Sequence, residues 1–143
     1  MDKILLDTSI VLDLLAAREP FLEDAKRIFT MADHSDISIY MTPIALANVH
    51  DFLAHQLDSD EVKKVLVRLG NLIHVLPVDQ RTVDLALTSE FKDFTDAVQY
   101  FAASEHDIDL ILTRNLKNFR NSHLLVLTPK QYLELQRTNS HTA

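Results

Sequence analysis

The chain has 143 residues, a formal charge of −7, one glycine and no cysteine. Its length fits a single domain with one sizeable core, and 47% hydrophobic with 24% charged residues is a globular composition, not a disordered one. The lone Gly70 excludes glycine-rich phosphate loops, and the lack of cysteine excludes disulfides, thiolate metal sites and cysteine nucleophiles. The acidic balance argues against a broad basic nucleic-acid platform. No apolar run reaches the roughly 18 residues of a membrane span and no signal pattern opens the chain, so a cytoplasmic protein without a membrane partner is expected.

In chain order, "KILL" predicts a first strand, followed by a helix over "SIVLDLLAA" with Ser9 as its cap. "EPFLEDAKRIFTMADHS" predicts a helix with Pro20 at its first position, and "DISIYMT" a second strand. Apolar residues at three- and four-residue spacings make "PIALANVHDFLAHQL" and "DSDEVKKVLVRLGNL" helices, before a third strand at "IHVLPV". "DQRTVDLALTSEF", capped by Asp79, and "DFTDAVQYFAASEH" follow as helices, then strands at "DLILT" and "HLLVLT" and a final helix at "PKQYLELQR". The expected organisation is one domain over 1–137 with a flexible polar tail over 138–143. Short apolar strands alternating with helices predict an α/β protein, a three-layer α/β/α sandwich around a mainly parallel five-stranded sheet.

In such a sheet, ligands bind at the rim formed by the carboxyl ends of the strands. Asp7 falls there, at the exit of the first strand, with Thr113, Arg114 and Asn115 at the exit of the fourth. Asp93 and Asp96 begin a helix that descends from the rim, and Asn48 lies about one turn into the helix after the second strand. Asp107 and Asp109 enter the fourth strand from the opposite end and Asp13 lies two turns down a helix, so these three are set aside. Each rim residue has an ordinary structural reading. Asp7 and Asp93 are natural helix caps, Asp96 suits a first helical turn, Thr113 can close a strand and Asn115 can occupy a turn. Their arrival on one rim from distant segments points to chemistry. Carboxylates gathered closely repel one another unless a cation intervenes. Oxygen ligands without His or Cys select Mg²⁺ or Mn²⁺, which can activate a water for attack on a phosphoryl group.

The segments "LLDTSIVLDLL", "TPIALANVHDFL", "DFTDAVQYFAA" and "LILTRNLKNF", in this order and spacing, resemble the PIN-domain ribonucleases, and more narrowly the VapC-type toxins of bacterial toxin–antitoxin pairs. The resemblance spans nearly the full chain and implies RNA cleavage with Mg²⁺ or Mn²⁺. It makes Asp7 the first metal ligand, Asp96 the central one and Asp93 an accessory carboxylate, with Thr113 and Asn115 completing the pocket. Asn48 stands where many members carry Glu, and Asn115 where many carry Asp. Each departure removes a negative charge, which should lower metal affinity. The resemblance also implies a homodimer and an antitoxin partner.

Arg114, Lys117 and Arg120 recur at three-residue intervals and can meet substrate phosphates or form a solvated basic face. The histidines show no pair at ligand spacing and read as surface residues, while the phenylalanines lie in apolar patterns and read as core. Two other functions stay open. One is a degenerate domain that binds RNA or protein without cutting, suggested by Asn48 and Asn115. The other is a receiver phosphorylated on Asp7 with Lys130 nearby, disfavoured because "TPK" places proline before the lysine.

Overall fold

The apolar run after Lys3 forms β1 (Lys3–Leu6), with Ile4, Leu5 and Leu6 fully buried. Burial on both faces is what a central parallel strand requires. Around it the computed structural model, which describes residues 1–142, adds β2 (Ser38–Met41), β3 (Ile73–Val75), β4 (Leu110–Leu112) and β5 (Leu125–Leu127). The order is β3-β2-β1-β4-β5, and every pairing is parallel. The helices are α1 (Thr8–Leu15), α2 (Leu22–Asp33), α3 (Pro43–Ala54), α4 (Ser59–Gly70), α5 (Gln80–Leu87), α6 (Phe94–Glu105) and α7 (Pro129–Thr142).

Successive strand residues point to opposite faces, and this alternation builds the layers. Ile4, Leu6, Leu110 and Leu112 pack in one cluster with Ile10, Ile28, Val49 and Tyr132 from α1, α2, α3 and α7. Leu5 and Ile111 face the other way, into a cluster with Tyr100 and Ala103 of α6 and with Phe119. The expected α/β/α sandwich is therefore present, and its sheet is parallel throughout. Strand order reverses between β1 and β4, which places a topological switch point beside the end of β1.

Local signals misplace several boundaries. The N-cap of α1 is Asp7, not Ser9, because helical geometry begins at Thr8 directly after the strand. Pro20 precedes α2 instead of opening it. The Phe21 N–H donates to the Arg18 carbonyl and closes a turn, so the helix starts at Leu22. Phe21 and Phe94, read as core, are 38% and 45% exposed. α7 runs on to Thr142, since neither proline nor glycine interrupts it, and Thr138 Oγ1 donates back to the Glu134 carbonyl. The final residue of the tail expected over 138–143, and the side chains of residues 140–142, lie outside the described residues.

Candidate metal centre

Backbone pairing continues one residue beyond two of the strands. Asp7 N–H donates to the Leu112 carbonyl, and Thr113 N–H to the Leu127 carbonyl, each at 3.0 Å. Asp7 and Thr113 thus end adjacent strands side by side, and Thr113 Oγ1 donates to Asp7 Oδ2 at 2.7 Å. The Asn115 backbone N–H donates to that same hydroxyl oxygen at 3.0 Å, leaving the hydroxyl proton to the carboxylate. Ser9 Oγ adds a bond to Asp7 Oδ2 at 3.1 Å. Although Asp7 occupies the N-cap position of α1, its side chain makes no capping bond. Its carboxylate faces across the sheet.

Asp96 reaches the same place from α6. Asp93 caps that helix, its Oδ1 accepting the Asp96 N–H at 3.0 Å. One turn further on, Gln99 Nε2 lies 3.3 Å from Asp7 Oδ1 and 3.5 Å from Asp96 Oδ1, donating to both. Asp7 and Asp96 are 8% and 7% exposed, and Gln99 is fully buried. Burial above all, then the charges of Asp7 and Asp93, push the Asp96 carboxyl up to about 7. A side-chain hydrogen bond with Asn118 opposes this. No ion pair found among the described residues involves Asp7 or Asp96. Two buried carboxylates without a basic partner call for a proton or a cation between them.

The remaining expected residues fall into different places. Asp93, expected as an accessory carboxylate beside the ion, turns Oδ1 to its own helix terminus and acts on Asp96 through charge. Among the described residues no group of three or more His, Asp or Glu side chains forms a metal cage. Asn48 is exposed in the second turn of α3, outside the cluster's hydrogen bonds. The Asn115 side chain is exposed too, and only its backbone serves the site.

Arg114 was expected at substrate, but its Nε donates to Asp13 Oδ2 at 2.7 Å and its guanidinium lies 4.1 Å over the Phe21 ring. Asp13, set aside in the sequence, is 1% exposed and pairs with that arginine, which makes no ion pair with Asp7 or Asp96 among the described residues. The basic trio is thereby split. Arg114 lines a cavity of about 500 Å³ with Asp13, Phe21 and Lys130. Lys117 and Arg120 line one of about 270 Å³ with Lys92, Glu90, Asp93 and Asn118, the last of which hydrogen-bonds to Asp96.

A family model described as PIN domain matches residues 3–117, most of the chain, including both acids, Gln99 and Thr113. The chain belongs to the PIN-domain family. Solved structures with the same fold include a toxin–antitoxin complex from Klebsiella pneumoniae, 21% identical over 88% of this chain and 97% of that one, with a TM-score of 0.67. VapBC-1 from nontypeable Haemophilus influenzae is 15% identical over 90% and 98%, also at 0.67. The sarcin–ricin loop cleaving toxin VapC20 of Mycobacterium tuberculosis is 17% identical over 76% and 86%, at 0.59. No curated protein sequence matches the chain.

The donor set of this PIN domain fits a small hard cation. Asp7 and Asp96 bring together carboxylate oxygens, the donor type Mg²⁺ and Mn²⁺ prefer, and no Cys or His side chain bonds to either. Their burial without a compensating positive charge is the observation that favours an ion over a purely structural pair. Gln99, Asn118 and Ser9 were missed in the sequence. The available signal for Gln99 was one polar residue in the otherwise apolar "AVQYFAA", three positions after Asp96 on the same helix face.

Proposed function

We propose that the protein is a Mg²⁺- or Mn²⁺-dependent endoribonuclease, the toxin component of a VapC-type toxin–antitoxin pair, acting in the cytoplasm. One observation carries this reading: Asp7 and Asp96 are brought together by β1 and α6 at the switch point, buried, and bridged only by an amide. Asp7 and Asp96 are the residues to hold the ion, with Asp93 as an accessory charge. The ion, when bound, lowers the pKa of a coordinated water and offsets charge on the phosphoryl oxygens. Thr113 and Ser9 fix the Asp7 carboxylate in one orientation, so it need not reorganise as charge develops. Lys117, Arg120 and Lys92 border the smaller cavity, where they suit the phosphates of an incoming RNA strand. Toxin–antitoxin complexes among the similar structures support an antitoxin as protein partner, and we infer a homodimer by the same family resemblance.

The test is cleavage of RNA with Mn²⁺ or Mg²⁺. Chelator and Asp7→Asn should each abolish it, and equal activity in the variant would reject the proposal. A second reading, RNA or protein binding without cleavage, is favoured by neutral, exposed side chains at Asn48 and Asn115. Tight RNA binding together with Mn²⁺ binding, but with no turnover, would select it.

A further inference from the structure

The acid pair lacks a third charged ligand. Among the described residues no further Asp, Glu or His completes a group of three, and Asp93 is committed to its helix terminus. What enters the cluster instead is Gln99. It is fully buried, its Nε2 sits between Asp7 Oδ1 and Asp96 Oδ1, and its Oε1 is buried with no hydrogen-bond partner. Leaving a buried amide oxygen unpaired is destabilising, because it has given up water without gaining a partner. The two bonds from Nε2, at 3.3 and 3.5 Å, lie beyond the roughly 3.2 Å that ends the usual range. A buried side chain is thus held in a poorly satisfied state at the centre of a charged cluster.

We propose that Gln99 is a third, neutral member of the cation site, presenting Oε1 to a divalent ion when its amide turns over. The amide nitrogen and oxygen are nearly equal in size, and the terminal torsion is broad and roughly two-fold, so a half-turn exchanges them without moving α6. The oxygen then stands where Nε2 stands now, 3.3 and 3.5 Å from the two carboxylate oxygens. Oxygens that share a small divalent ion at about 2.1 Å stand about 3.0 Å apart, so each of these two separations has only a few tenths of an ångström to close. Carbonyl oxygens suit Mg²⁺ and Mn²⁺, and a neutral one adds no repulsion to a pair that already has too much. Without the ion, the N–H groups face the carboxylates and damp that repulsion. This assignment rests on the metal-dependent reading above.

Calorimetric titration with MnCl₂ above neutral pH, on the wild-type chain, Gln99→Leu and Gln99→Glu, tests it, with the melting temperature of each in EDTA as the folding control. Gln99→Leu should weaken Mn²⁺ binding at least about tenfold, the scale on which support around a metal acts. Gln99→Glu, which restores an oxygen in the same place, should bind Mn²⁺ no more weakly than the wild type. Wild-type affinity in Gln99→Leu overturns the assignment and leaves the nuclease reading intact. Affinity in Gln99→Glu as poor as in Gln99→Leu overturns it as well, and serves alone if the leucine variant does not fold. Absence of Mn²⁺ binding by the wild type removes the metal-dependent reading and this inference together.

Discussion

Asp93 and Asp96 stand three residues apart in the first turn of one helix, and their surroundings give them opposite tasks. Asp93 accepts the Asp96 N–H and caps its helix, whereas Asp96 points inward towards Asp7. With Asp96 raised from 3.8 to about 7, the folded chain holds a proton that the unfolded chain has lost over that interval. Stability in the absence of metal therefore falls as pH rises from about 4 to 7 and then levels off. Asp96→Asn removes this dependence. It should match the wild type near pH 4 and exceed it above pH 7 by on the order of 2 kcal/mol, allowing for solvent screening at the rim. Urea denaturation in EDTA across this range checks it. A gap that does not widen with pH would show that Asp96 is not the strained group.

At the scale of elements, the end of β1, the end of β4 and the first turns of α6 each deliver one part of the site, and α6 is set by its cap. Asp93→Ala should cost about 1 kcal/mol in thermal or chemical unfolding, the usual worth of such a cap. Asp93→Ser keeps an oxygen for the Asp96 N–H but removes the charge, so it should retain most of the stability. If Asp93 is only a cap and a distant charge, the serine variant also retains Mn²⁺ binding. Loss of binding there would return Asp93 to the ligand set.

Elements of this kind were legible from local pattern. The apolar runs gave the strands, and Asp79 and Asp93 were read as caps because a cap is a three-residue event. Asp7, Asp96 and Thr113 could be placed on one rim, since strand exits follow from α/β topology. The Gln99 bridge, the Asn118 bond and the Asp13–Arg114 pair could not. They depend on how α6, α1 and the loop after β4 face one another, which no spacing within one segment encodes. Arg114 shows the difference well: its three-residue spacing with Lys117 suggested a shared role, but a buried carboxylate 101 positions away claims it.

For the molecule as a whole, the switch point between β1 and β4 concentrates negative charge in a fold otherwise closed by apolar clusters on both faces of the sheet. An ion that binds there only in the folded state stabilises the entire domain by mass action. At a hundredfold excess over its Kd, Mn²⁺ should add about 2.7 kcal/mol, roughly 10 °C in melting temperature for a chain of this length. The direction with pH follows from Asp96. Below about 7 its carboxyl carries a proton that the ion must displace, so affinity falls up to about tenfold per unit. Two units lower, the same Mn²⁺ concentration is near Kd, and the shift should shrink to about 1 or 2 °C. Thermal melts with and without Mn²⁺ across this range measure it. Asp7→Asn should remove the shift at every pH, and a shift that survives either acid or that substitution would place the bound ion elsewhere on this acidic chain.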